Sequence, residues 1–160
     1  MLHITILAVG RLKEAYLVQG TGEYLKRLAP YAKVSLEEVA DERIPERPSL
    51  AAREKVKEVE GQRLLSRVKE SAFLIALDPK GVSYSSEAMA AKLEQLVVAG
   101  QSHLVFAIGG SLGLCDRVLQ RADLQLSFSS LTFPHQLFRL ILTEQLYRWF
   151  KIARNEPYHL

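Results

Sequence analysis

The stretch His103-Leu104-Val105-Phe106-Ala107-Ile108-Gly109-Gly110-Ser111-Leu112-Gly113 decides how this chain folds. After His103 the side chains are apolar without alternation, as in a strand buried on both faces of a parallel sheet. A glycine turn follows at once, and a short helix through Val118 and Leu119 comes after it. A buried strand that hands over to a helix through a turn is the repeating unit of α/β proteins.

The same unit recurs on both sides. Upstream, Ala72 to Leu77 is a second continuous apolar run, and Asp78-Pro79-Lys80-Gly81 reads as the turn that ends it. Ser85 or Ser86 caps an amphipathic helix carrying Met89, Leu93, Leu96 and Val97, which Gly100 stops. Earlier still, Ser49 caps a helix running to about Glu70 with Val56, Val59, Leu64 and Val68 facing inward. Its other face mixes Lys, Arg and Glu, which reads as a solvated surface with i,i+4 pairs. Asp41 to Pro48 is a surface loop.

The chain opens with a strand over Leu2 to Val9, ended by Gly10. A helix over about Lys13 to Ala29 follows despite Gly20 and Gly22, and Pro30 closes it. Val34 and Leu36 alternate in a polar strand at a sheet edge. Downstream, Leu124, Leu126 and Phe128 alternate in a fifth strand. The loop Ser129 to Pro134 leads into the longest helix, about His135 to Ala153, whose apolar face holds Leu137, Ile141, Leu142, Leu146, Trp149 and Phe150. Pro157 stops the helix from continuing into the tail. The expected fold is a single-domain α/β protein, with a mostly parallel sheet and helices on both faces.

With 160 residues, 48% of them apolar and 24% charged, the chain has ordinary globular composition and length for one domain over 1–160. Leu2 to Val9 is too short and too alternating for a signal peptide, and no apolar run approaches the roughly 20 residues of a membrane span. A cytoplasmic protein with no membrane association is expected. Cys115 is the only cysteine, so an internal disulfide and a cysteine-rich metal site are excluded, and no metal is expected. Cys115 sits near a helix start, but a buried, unreactive thiol is the simpler assignment. A net charge of +3 leans toward an anionic partner, although many proteins without one share it. His3 and His103 lie at strand positions and receive no role.

Ligands of open α/β sheets collect outside the carboxyl ends of the strands. Three exits qualify here: Leu77-Asp78, Gly109 to Gly113, and Phe128 to Pro134. At the glycine loop a ligand can approach bare backbone, or the loop is simply a tight packing turn. It is not the dinucleotide fingerprint, because it follows the fourth strand and its spacing differs. The loop Phe128-Ser129-Ser130-Leu131-Thr132-Phe133 could grip a flat heteroaromatic ring through its main chain. Alternatively it is an ordinary connection with Thr132 as helix cap. His135 and Arg139 share a face of the last helix. Arg148, Lys151 and Arg154, with Tyr147, Trp149 and Tyr158 near them, offer charge for phosphates and rings for unstacked bases. The competing assignment makes them cations at a helix C-terminus, with Glu144 pairing to Arg148.

Several segments together go further. They are Leu2-His3-Ile4-Thr5-Ile6-Leu7-Ala8-Val9-Gly10, Glu60-Gly61-Gln62-Arg63, Ile108 to Gly113, Leu126-Ser127-Phe128-Ser129, Leu131-Thr132-Phe133-Pro134-His135-Gln136, Glu144-Gln145-Leu146-Tyr147-Arg148 and Asn155-Glu156-Pro157-Tyr158-His159. In this order the chain strongly resembles the ribosomal RNA large subunit methyltransferase H family of the SPOUT superfamily. The resemblance implies one SPOUT domain with a C-terminal trefoil knot, the knot and cofactor site lying over roughly 72–160. Knots are nearly absent from proteins, so this feature is carried by the resemblance alone. It also implies a homodimer that uses S-adenosyl-L-methionine to methylate N3 of a pseudouridine in 23S ribosomal RNA, in the large subunit or assembled ribosome. Leu77, Gly109, Phe128, Ser129, Ser130, Leu131, Thr132 and Phe133 match the family's contacts to the methyl donor.

Within that resemblance, Tyr158 and His159 of a partner subunit's tail are expected to orient the target base, with His159 handling its proton. Arg139 is expected to stabilise negative charge on the uracil oxygens. Family members commonly end on a basic residue after the Tyr-His pair. Here Leu160 stands in that place, so a phosphate contact from that side chain is lacking. Two rivals remain: a non-catalytic ribosome-binding module of the same fold, and a nucleotide-dependent oxidoreductase. The missing first-strand fingerprint counts against the second.

Overall fold

The computed structural model describes every residue from Met1 to Leu160. At its centre is one five-stranded sheet built from β1 (His3–Val9), β2 (Lys33–Val39), β3 (Phe73–Ser83), β4 (His103–Ile108) and β5 (Leu124–Ser127). The strand order is β2-β1-β4-β3-β5, and every pair is parallel. The helices α1 (Ala15–Leu28), α2 (Leu50–Leu65), α3 (Ser86–Val98), α4 (Asp116–Arg121) and α5 (Leu137–Ala153) alternate with the strands. The α/β class with helices on both faces is therefore what the chain adopts, and the sheet is wholly parallel.

Strand periodicity divides the core in two. On β1, Ile4, Ile6 and Ala8 point to one face, where they meet Phe106, Met89, Leu142, Leu146 and Trp149 beneath α1, α3 and α5. Leu7 and Val9 point to the other, where Val105, Leu64, Val118 and Cys115 pack under α2 and α4. Cys115 is fully buried there, as expected of a core thiol. Each large apolar side chain removed from water in this way contributes roughly 1.5–3 kcal/mol. Gly20 weakens helix propensity but lets α1 lie against α5, since a Cβ there would meet Leu140 Cδ1 at 2.9 Å.

The caps behave as their chemistry requires. Ser49 Oγ accepts the Ala52 N–H and Ser85 Oγ the Ala88 N–H, each at 3.1 Å. Gly100, at φ +94, ends α3.

Four boundaries differ from the sequence expectation. Residues 78–81 do not end β3. The strand bulges there, so that Leu77 and Val82 both register with Leu126. Gly81 permits this, because a Cβ would lie 2.5 Å from the Gln125 carbonyl oxygen. Helix α2 stops at Leu65 rather than Glu70, where the Ser66 hydroxyl donates to the Arg63 carbonyl at 2.7 Å and competes with the helical ladder. Strand β5 ends at Ser127, leaving the Phe128 ring to pack edge-on against Phe138 and Trp149. Helix α5 starts at Leu137, whose N–H bonds the Pro134 carbonyl.

Candidate active site

The carboxyl ends of β3, β4 and β5 open on one cleft of about 480 Å³, within the range of small-molecule sites. Its walls come from residues 77–80 and 108–114 and from parts of the segment 126–138, with Lys57 from α2 and Asp116 and Leu119 from α4. All three strand exits singled out in the sequence are thus brought together.

The glycine loop is both a tight turn and a cleft wall. The Gly113 N–H donates to the Gly110 carbonyl at 3.0 Å, and Gly113 holds φ +88. A Cβ on Gly109 would stand 2.7 Å from the Gly113 carbonyl carbon. On the opposite wall, Phe128, Ser129, Thr132 and Phe133 line the cleft. Ser130 and Leu131 do not; Leu131 is 68% exposed. Ser129 Oγ accepts the Leu131 N–H at 3.0 Å, and the Ser127 hydroxyl donates to the Pro79 carbonyl at 3.0 Å, tying this wall to the β3 bulge. Thr132 does not cap α5, because the position before Leu137 is Gln136 and makes no side-chain cap bond. His135 also lines the cleft. Burial, and then the charge of Arg139, depress its pKa, so its ring is neutral at pH 7.

Arg139 is placed otherwise than expected. Its side chain is 0% exposed and pairs through Nη1 with Glu38. Nη2 donates to the carbonyls of Val9 at 3.0 Å and Gly10 at 2.7 Å. Burial lowers its pKa and Glu38 opposes that shift; a guanidinium nonetheless stays charged. The group faces the exit of β1, not the cleft, and pins that exit to the start of α5. Stabilising charge on a uracil would require unmaking all three contacts.

The tail folds back on its own chain. Asn155, at φ +53, turns it, and Glu156 accepts from Lys151 Nζ and the Tyr31 hydroxyl, both at 2.8 Å. The Tyr158 ring meets Tyr147 edge-on at 4.8 Å, with the Arg148 guanidinium over its face at 4.7 Å. Burial, with help from the Tyr24 side chain, pushes its hydroxyl up to about 12, so it is a neutral phenol at pH 7. His159 lies between Arg148 Nη1, 3.1 Å from Nδ1, and Glu87 Oε1, 2.7 Å from Nε2. Both ring nitrogens are thus engaged by neighbouring side chains. Neither Tyr158 nor His159 borders the cleft of its own chain. They are anchored to α3 and α5, which also wall a neighbouring hollow of about 300 Å³ lined by Ser85, Ser86, Gln145 and Trp149. That hollow shares Phe128, Phe133 and Phe138 with the cleft.

The cations at the end of α5 make the pairs expected of helix-end cations. Arg148 pairs with Glu144 at 2.8 Å and Lys151 with Glu156 at 2.8 Å, as helix-end cations do. Yet Arg154 covers the Tyr31 ring at 4.7 Å and Arg27 the Tyr24 ring at 5.1 Å, giving a surface of tyrosines and cations. Trp149 takes no part in it, being buried beside Phe106.

Two acids were missed. Glu60, on the face of α2 read as solvated, is 4% exposed. Its Oε2 accepts the Glu42 N–H at 3.0 Å, while Oε1 has no partner and lies behind Gly110. Burial raises its pKa. The i,i+4 spacing with Val56 and Leu64 puts it on the inward stripe, a signal its charge masked. Glu87 stands in the first turn of α3, an ordinary place for an acid, and nothing local reveals its partner 72 positions later. No cluster of three or more His, Cys, Asp or Glu is arranged to hold a metal, and no helix is long and apolar enough to cross a membrane.

Comparison with known proteins accords with this architecture. The family model described as "Predicted SPOUT methyltransferase" matches residues 2–159. A protein of Pelotomaculum thermopropionicum named Ribosomal RNA large subunit methyltransferase H is 63% identical over 159 residues, covering 99% of both chains. Proteins of the same name from Carboxydothermus hydrogenoformans and Listeria welshimeri are 56% and 53% identical over 158 residues, again covering 99% of both chains. Matched from end to end, the chain belongs to the SPOUT methyltransferases, within the ribosomal RNA large subunit methyltransferase H family.

Proposed function

We propose that this protein methylates N3 of a pseudouridine in 23S ribosomal RNA, on the large subunit or assembled ribosome in the cytoplasm, and works as a homodimer. The observation that carries this is the convergence of the three strand exits on one cleft with a bare-backbone wall at Gly109 to Gly113. The residues fit S-adenosylmethionine: Leu77, Gly109, Phe128, Ser129, Thr132 and Phe133 line the cleft with main-chain groups beside apolar faces, as a flat purine requires. When bound, that donor supplies a methyl group activated by a sulfonium. The rings of Phe128, Phe133 and Phe138 keep water from one side of the cleft.

Tyr158 and His159 orient the target base. They do not border their own chain's cleft, which favours delivery of each tail to the partner's donor site. Tyr158 acts there as a neutral hydrogen-bond donor. His159 accepts the N3 proton only once its ring leaves Arg148. Arg139 is left out of this chemistry; Arg148, steadied by Glu144, is the guanidinium available to the base oxygens. The trefoil knot over roughly 72–160 belongs to the same proposal. It is supported by β5 lying outside β3 rather than beside β4, and by the Ser127 to Pro79 bond across the site.

The test is twofold. Ribosomal RNA from a strain lacking the protein should lose one methyl group on a pseudouridine by mass spectrometry. In vitro, His159→Ala should cut turnover on ribosomes by about a hundredfold, the scale of a lost acid-base group, while calorimetry finds donor affinity unchanged. Unaltered RNA would overturn the proposal. A wild-type protein that binds ribosomes without affinity for S-adenosylmethionine would leave the non-catalytic RNA-binding module in its place.

A further inference from the structure

The imidazole of His159 is held from both sides, and its two neighbours permit only one neutral form. Arg148 Nη1 lies 3.1 Å from Nδ1 and Glu87 Oε1 lies 2.7 Å from Nε2. A guanidinium has donors only, so Nδ1 must be the nitrogen with the lone pair. The single proton of the neutral ring then sits on Nε2, where an ionised carboxylate, which only accepts, takes it up as a hydrogen bond. Glu144 holds Arg148 from its far side at 2.8 Å, and Tyr158 lies against the guanidinium face. The result is a chain of four side chains, Glu87, His159, Arg148 and Glu144, with every proton accounted for.

We propose that Glu87 is a positioning residue: by accepting the Nε2 proton it fixes the tautomer and plane of His159, and through that ring the Arg148 guanidinium. This rests on the proposed role of the tail in handling the target base. Glu87 suits the task because it stands in the first turn of α3, a rigid platform whose start is capped by Ser85. Its side chain is 62% exposed, and exposed pairs add little to stability, so its effect is on geometry. Its own backbone N–H, and then His159, hold its carboxyl below the usual range, which keeps it an acceptor at neutral pH. The charged groups in contact with His159 are Glu87 from α3 and Arg148 from α5, and behind Arg148 stand Glu144 from the same helix and Tyr158 from the tail. Protonating the ring would set an Nδ1–H against the Arg148 donor, breaking that contact while leaving the one to Glu87.

The experiment uses the full chain labelled with ¹⁵N-histidine, long-range ¹H–¹⁵N correlation to read the His159 tautomer, and methylation of ribosomes across pH. His159→Gln identifies the resonances. The wild type should show the Nε2–H form at pH 7.5. Glu87→Ala should lose that single tautomer and drop kcat about tenfold, the lower end of what orienting partners supply, with donor affinity unchanged. Glu87→Gln, whose side-chain carbonyl accepts the same proton, should restore the tautomer and most of kcat. A wild-type ring that is Nδ1-protonated or averaged between forms overturns the proposal. So does an alanine variant with wild-type tautomer and kcat. Failure of the wild type to methylate ribosomes would instead overturn the proposed function, since the spectrum reads the tautomer with no substrate present.

Discussion

Helix α5 carries Arg139 near its start and Arg148 near its end, and the two arginines do different work. Arg139 is enclosed, its two Nη groups committed to Glu38 and to two carbonyls at the exit of β1. Arg148 is half-buried, held by Glu144 on its own helix and touching the C-terminal tail through His159 and Tyr158. The side chains are chemically identical. What separates them is whether the partners are backbone at a strand exit or side chains of α5 and the tail. A guanidinium fixed to backbone holds the fold together, whereas the one held by side chains is the one that the proposed function assigns to the substrate.

The sharpest way to break this contrast is Arg139→Ala. It leaves two carbonyls and a carboxylate without their donor, and should lower unfolding free energy by about 3–5 kcal/mol in a denaturant titration. Arg139→Lys should recover little, because one ammonium cannot reproduce the planar fork. A loss below about 1 kcal/mol would mean that Arg139 is not structural. Arg148→Ala should invert the pattern. Stability should fall by no more than about 1 kcal/mol, while turnover on ribosomes drops on the order of a hundredfold, as when one transition-state donor is lost.

The smallest effect expected is in alkali. The Tyr158 hydroxyl is raised to about 12 in the fold against about 10 in an unfolded chain. Its contribution is fully present below the unfolded value and disappears as pH climbs from about 10 through about 12. Lys151, also raised, by Glu156 first and Tyr31 next, acts in the same direction. The wild type should lose stability across that window, and Tyr158→Phe should lose less of it. Identical slopes would show that the tail phenol is not held.

Much of this was legible in the chain. Unalternated apolar runs gave the two central strands of the site, serines marked the starts of α2 and α3, and the three strand exits meet as their positions implied. The failures have specific physical causes. Pro79 and Gly81 carry turn chemistry, but here the glycine serves close approach of β3 to the β5 backbone, which depends on a strand more than forty residues downstream. Arg139 shares a face with His135 as its spacing requires. Its partners, however, are Val9, Gly10 and Glu38, and no local pattern connects those positions to α5. Within the loop from Phe128 to Phe133, sequence could not separate Ser130 and Leu131 from neighbours that line the cleft, since an irregular loop has no period.

The wholly parallel sheet also governs how the molecule comes together in time. His3 pairs with Lys33 and His103, Phe73 with Leu104, and Ile75 with Leu124. No neighbouring strands are joined by a hairpin, so none can zip up locally, and each pairing waits on closure of a long loop. The shortest strand, β5, emerges last from the ribosome and takes an outer position. A nascent chain that ends before it has the glycine turn but not the facing wall. The cleft therefore closes only once β5 and the segment after it have joined the sheet.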